Sequence, residues 1–284
     1  MLRKLGPAPK KQTMTTEHLF ARMTWPETNE AVRQRRVVLL PIGAIEQHGP
    51  HLPVDTDNVL ATEICETAAA RAADAIVTMP TIHYGFNDHN MDFPGTISVK
   101  MQHFIDYCFD VAASLAYQGF RRIILVNAHG SNGPLCELVA RRITIETAAL
   151  CASINHWALA WDEIAGQLEG GPHAADHACE WETSEYLHFR PDGVRQDLVK
   201  DEIAAHRGGP CWLYPSVNGA NSVKFMNWWS RMSATGVNGT PSHATAEKGR
   251  VMIEATIARL IGVALEFRDL PDVERVDHRL PEAL

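Results

Sequence analysis

Short apolar runs recur along this 284-residue chain at Val37 to Pro41, Ala75 to Pro80, Arg122 to Val126 and Leu150 to Asn155. Between and after them lie helical patterns near residues 57–73, 101–118, 132–149 and 244–267. Apolar runs of about 4 to 8 residues bounded by Gly or Pro suit fully buried strands. Strands that alternate with helices build βαβ units, because parallel neighbours need a long crossover. The chain therefore reads as α/β, a three-layer arrangement of a mostly parallel β-sheet flanked by helices. With 45% hydrophobic residues it can fill one sizeable core. A single domain is expected over 21–268, preceded by a disordered leader (1–20) with Gly6, Pro7 and Pro9, and followed by a polar, Pro-punctuated tail (269–284).

Chemistry-bearing residues gather where strands end. Directly after VVLL, residues 41–58 hold Glu46, His48, His51, Asp55 and Asp57 around Gly43 and Gly49. Carboxylate and imidazole are donors that zinc, manganese and ferrous iron accept, and in open α/β sheets ligands collect outside the carboxyl ends of strands. Asp57 opens the next helical pattern, so a plain N-cap role competes with metal binding. A second cluster, Asn127 to Gly133, follows RRIILV. His129 alone would read as an ordinary loop residue, but if its strand neighbours the first one, His129 and the Glu46/His48 pair converge on one crevice.

A third segment, GGPHAADHACEWETSEYLHF, carries His173, Asp176, His177, Glu180, Glu182, Glu185 and His188. In a helix from about Cys179, Glu182 and Glu185 share a face while Glu180 points to solvent. His177 and Glu182 are the functional candidates; Glu185 and His188 read as a solvated face. The loop HYGFNDHNMDFPGTIS adds Asn87 and His89 as candidate substrate contacts. Residues 205–242, rich in Gly and Pro and bearing Trp212, Trp228 and Trp229, suggest a lid or a subunit contact.

Other classes are disfavoured. Net charge is −8 and the only basic run is RKLGPAPKK at the start, which speaks against a nucleic-acid groove. No segment approaches the roughly 18 apolar residues of a membrane span, and a secretory h-region is missing, so a cytoplasmic location is expected. The six cysteines form no C-x-x-C pair and read as reduced core thiols. Ser131 lacks the G-x-S-x-G context of a nucleophile elbow, and no nucleotide-binding glycine loop occurs.

Five ordered motifs carry a family resemblance: E-x-H-G-P-H-L-P-x-D-T-D at 46–57, F-P-G-T-I-S at 93–98, N-x-H-G-x-N at 127–132, H-A-x-x-x-E-T-S at 177–184 and G-V-x-G-x-P-x-x-A-T-A-E-K-G at 236–249. Through them the chain resembles the creatininase family, creatinine amidohydrolases and their relatives, over roughly residues 35–265. The resemblance implies a homohexamer and two divalent metals (Zn, Mn or Fe). Glu46, Asp57 and His129 would hold one and His48 and Asp57 the second. Ser131 stands where true creatininases carry a further glutamate, and Glu182 is the expected replacement. Gly130 and the pair His173-Ala174 replace a tyrosine and a Trp-Asp pair, which implies a lost aromatic wall and carboxylate and disfavours creatinine itself.

The expected function is hydrolysis of a carbonyl in a small cyclic or amide substrate by a metal-bridging hydroxide, with His177 protonating the leaving atom. Asn87, His89, Gly130, Ser131 and His173 are the expected substrate contacts. One alternative is C–C ring opening of an inositol-derived cyclic β-diketone, as in 3-dehydro-scyllo-inosose hydrolases. From other classes come a mononuclear non-haem iron oxygenase, disfavoured by the surplus of carboxylates, and a non-catalytic binding subunit, disfavoured by the full donor set.

Overall fold

A computed structural model describes residues 16–171, 175–204 and 225–279. Its centre is a four-stranded parallel sheet in the order β2-β1-β3-β4. The strands are β1 (Val37–Ile42), β2 (Ile76–Thr78), β3 (Arg122–Asn127) and β4 (Leu150–Asn155). All four coincide with the apolar runs. The helices between them, α2 (Thr56–Arg71), α3 (Met101–Tyr117) and α4 (Gly133–Glu146), are the crossovers that parallel strands require.

The two faces of the sheet follow the two-residue period of a strand. Val38, Leu40 and Ile42 of β1 and Ile123 and Leu125 of β3 pack with α3 and α4. Their neighbours Val37, Leu39, Ile124 and Val126 pack with α2 and the long C-terminal α8 (Ala246–Asp269). Each fully buried Leu or Ile stabilises the fold by about 1.5–3 kcal/mol, so a sheet buried on both sides needs the unbroken apolar runs seen in the sequence.

The alternation does not include α1 (Trp25–Arg33), whose signal is local: a Thr24/Glu27 capping box with Pro26 in the first turn. Nor does it include α5 (His156–Leu159), α6 (Trp161–Gln167) or the small antiparallel pair β5 (Ala175–His177) and β6 (Asn238–Gly239). Helix α7 (Glu180–Phe189) lies against α8. At their crossing a Cβ on Gly249 would stand 1.9 Å from the Ser184 carbonyl oxygen, so only glycine permits this approach.

The N-terminal end differs from expectation where it is described. Residues 16–20, expected as leader, already run along the sheet: Thr78 donates to the His18 carbonyl at 2.9 Å, and Arg36 donates to the Glu17 carbonyl at 2.8 Å. At the other end, Arg122 holds the tail through the Leu270 carbonyl and Asp272, each at 2.7 Å. Among the described residues no helix is long and apolar enough to cross a membrane.

Candidate metal centre

In register, Ile42 of β1 pairs with Asn127 of β3, so the loops after these strands leave the sheet side by side. The chain passes from β1 to β2 on one side and returns to β3 on the other, the topological switch at which an open α/β sheet forms a crevice. Glu46 and His48 come from the first loop, His129 from the second. Asp57 sits in the first turn of α2 and Glu182 in the first turn of α7, where the helix N-terminus favours a carboxylate.

These five side chains meet in the interior, each at most 6% exposed. His129 Nδ1 lies 2.9 Å from Glu46 Oε1 and 3.3 Å from Asp57 Oδ2. His48 Nε2 lies 3.2 Å from Asp57 Oδ1 and 3.8 Å from Glu182 Oε1. Glu46, Asp57 and His129 form one compact donor group; His48, Asp57 and Glu182 form another; Glu46, His48 and His177 form a third.

The donors fit divalent cations. Ligands about 2.1 Å from an ion stand roughly 3–3.5 Å from each other, close to the separations found. His48 Nε2 and Asp57 Oδ2 are buried without a hydrogen bond despite their charged neighbours, a costly state unless something between them completes the set. Both imidazoles are also oriented from behind. His48 donates through Nδ1 to the Glu46 carbonyl at 3.3 Å, and His129 donates through Nε2 to the Phe86 carbonyl at 3.1 Å. The opposite nitrogen of each ring thereby faces the cluster, where it would offer a lone pair to a cation once its proton has left.

Electrostatics agree. Burial and the neighbouring carboxylates raise Glu182 to about 8, against the pull of His48. Burial lowers His48, but Asp57, Glu182 and Glu46 overcome it and lift it to about 10. His129 is likewise raised, Glu46 and Asp57 outweighing burial. Without cations the cluster thus keeps protons on His48 and His129, and divalent ions replace them. Titrating metal-free protein with Mn2+ at pH 7 in weak buffer is expected to release protons; uptake without proton release would contradict this picture.

His177 lies beside the cluster, its Nδ1 3.7 Å from Glu46 Oε1. Nε2 lies 2.7 Å from the Gln47 carbonyl oxygen, which can only accept, so Nε2 carries the proton and Nδ1 the lone pair on the Glu46 side; the Gln47 side-chain nitrogen 3.0 Å from Nε2 is then a close contact, its hydrogens going to Asn90 Oδ1 and the Gly236 carbonyl. Burial, then the charge of His48, hold its pKa well below the usual histidine value. Trp229 packs edge-on against the ring at 4.8 Å.

A cavity of about 150 Å3 opens beside these residues. His89, Gly130 and Ser131 line it. Asn87 does not: it is fully buried and its amide reaches the Ile45 and Ile97 carbonyls, which ties loops together rather than meeting a ligand. The expected contact His173 lies outside the described residues. Trp157 from α5, Trp181 from α7 and Trp229 also line the cavity, as does Asp176. The aromatic wall and carboxylate expected to be lost are therefore supplied by other elements, since their positions are set by packing and not by motif spacing.

Two further expectations fail for the same reason. Glu180 is buried and accepts from Lys248 Nζ at 2.7 Å and from the Glu169 and Gly170 amides. Glu185 is buried against His156 Nε2 at 3.2 Å. Asp57 is not the cap of α2, a position held by Asp55. Sequence reasoning also missed Asn90, which donates to Glu46 Oε2 at 2.6 Å; its one signal was adjacency to His89.

Comparisons with known proteins agree with this geometry. The family model described as "Creatinine amidohydrolase" matches residues 21–264. A 3-dehydro-scyllo-inosose hydrolase from Thermotoga maritima is 27% identical over 288 residues, 93% of this chain and 90% of that protein. A mycofactocin precursor peptide peptidase from Mycobacterium tuberculosis is 30% identical over 245 residues, 83% and 87% of the two chains. A solved structure described as "Creatininase Mn" superposes with a TM-score of 0.73 at 26% identity, covering 88% of this chain and 98% of the other.

Proposed function

The chain belongs to the creatininase family and is a metal-dependent hydrolase, and we propose that it uses two divalent cations to cleave a carbonyl C–N bond in a small cyclic amide. Glu46, Asp57 and His129 would hold one cation and His48, Asp57 and Glu182 the other. The observation that carries this reading is the pair of buried donor groups sharing Asp57. When bound, the ions supply Lewis acidity, lowering the pKa of water and polarising a carbonyl oxygen.

The remaining steps belong to protein groups. His177 is neutral with its Nδ1 lone pair on the cluster side, so it can accept the proton shed as water attacks the carbonyl and deliver it to the leaving nitrogen. Gln47 fixes that tautomer by accepting from Nε2. The tryptophan wall suits a flat ring and excludes bulk water. A cavity near 150 Å3 accommodates about one six-membered ring. Among the described residues no lysine or arginine lines it, so it offers no cationic side chain to a substrate carboxylate.

A second reading, C–C cleavage of a cyclic β-diketone, is favoured by the inosose hydrolase relative that matches 93% of the chain and by the Ser131 hydroxyl in the cavity wall. The same His177 would then protonate an enolate carbon. The test is metal analysis of protein purified without chelator, followed by a screen of creatinine, formamides, short peptides and 3-dehydro-scyllo-inosose. About two ions per chain and turnover of a ring substrate are expected; one ion with dioxygen consumption, or tight ligand binding without turnover, would refute the reading. Glu182→Gln is expected to bind the second ion at least about 10-fold more weakly and to lose most activity, since it removes a direct ligand.

For assembly we propose a homo-oligomer, since Tyr107, Tyr117, Leu138 and Ile145 expose large apolar side chains on the adjacent α3 and α4. Sedimentation of the purified protein as a monomer at micromolar concentration would exclude it.

A further inference from the structure

Ser131, His89, Asn90 and Glu46 form a continuous hydrogen-bonded rail from the cavity wall to the cluster. Asn90 is 2% exposed, and its Oδ1 accepts from Gln47 Nε2 at 3.3 Å, which turns its amide nitrogen toward Glu46. One Nδ2 hydrogen goes to Glu46 Oε2 at 2.6 Å; Nδ2 also lies 3.3 Å from His89 Nε2. Ser131 Oγ is 3.1 Å from the same His89 nitrogen. An amide nitrogen can only donate, so His89 Nε2 is the acceptor and shares its single lone pair between Asn90 and the Ser131 hydroxyl, while the ring proton sits on Nδ1, which is buried without a partner.

The consequence falls on Glu46. With Oε2 held by Asn90, only Oε1 faces the cluster, 2.9 Å from His129 Nδ1. A carboxylate free at both oxygens can turn and grip an ion in two-oxygen fashion. We propose that Asn90 is a positioning residue that restricts Glu46 to single-oxygen ligation, and that His89 and Ser131 hold Asn90 in place for it. Ser131, which stands where true creatininases carry a glutamate, thus serves the metal centre indirectly. The proposal rests on the cation-holding role of Glu46 inferred above.

The experiment is calorimetric titration of the metal-free full-length chain with Mn2+, with thermal melts of the same samples. Asn90→Ala is expected to weaken one of two binding events by about 10–100-fold, the usual effect of removing a group that orients a ligand, and to leave the other event and the metal-free melting temperature little changed. Ser131→Ala, at the far end of the rail, is expected to weaken the same event by a smaller factor. Wild-type affinity for both ions in Asn90→Ala would overturn the proposal, as would equal weakening of both events with a lowered melting temperature, which marks a structural role. Should Asn90→Ala not fold, an unaltered Ser131→Ala titration would overturn it. Wild-type protein that takes up no Mn2+ would instead refute the functional reading itself.

Discussion

Asp57→Ala is expected to abolish turnover to the detection limit and to lower bound metal from about two ions per chain to less than one. No other single change should do as much. Asp57 is the residue common to the two donor groups proposed to hold the ions, with Oδ1 3.2 Å from His48 Nε2 and Oδ2 3.3 Å from His129 Nδ1. Removing it would take an oxygen from each proposed ion and leave two imidazoles in a buried site with less compensating charge. Asp57→Asn is the informative companion. It keeps the shape but offers one oxygen and no charge, so it should retain some metal while still losing activity. Metal analysis beside an activity assay decides the matter; full metal content and normal turnover in Asp57→Ala would end the two-ion reading.

Gly249→Ala is expected to destabilise the fold by about 1–3 kcal/mol, the range for forced overpacking, and to lower metal affinity although Gly249 touches no donor. The added Cβ would stand 1.9 Å from the Ser184 carbonyl oxygen and 2.4 Å from its carbon. Backbone atoms cannot swing aside as a side chain can, so α7 and α8 must separate. Glu182 lies on α7 two residues before the clash and would move with it. Gly262→Ala is the control: it sits in the same helix with nothing within 4 Å of the new Cβ, and should stabilise slightly, by about 0.5–1 kcal/mol. Thermal melts of both variants, metal-free and Mn2+-loaded, separate the effects. Equal melting temperatures for the two would show that the close approach is not needed.

How much of this could be read beforehand divides by the range of the forces involved. The four strands and the helices between them lie where the apolar runs and periodic stretches put them, because a strand buried on both faces and an amphipathic helix each write their pattern in adjacent residues. The positions of Glu46, His48 and His129 just past β1 and β3 follow from the same local reading, since the glycines that turn the chain sit beside them. Helix α1 was not among the expected helices, because its local signal, the Thr24/Glu27 capping box with Pro26, has no apolar run behind it.

What the sequence by itself determined, then, was the layered α/β plan and the strand ends at which donors gather, because these depend on neighbours in the chain. Only the tertiary structure decided that Glu180 and Glu185 are buried, that Asn87 braces loops, that Asn90 holds Glu46, and that Trp157, Trp181 and Trp229 wall the cavity. Burial and partnership are properties of segments far apart in sequence that meet in space. No periodicity within one segment records which helix will arrive to cover it.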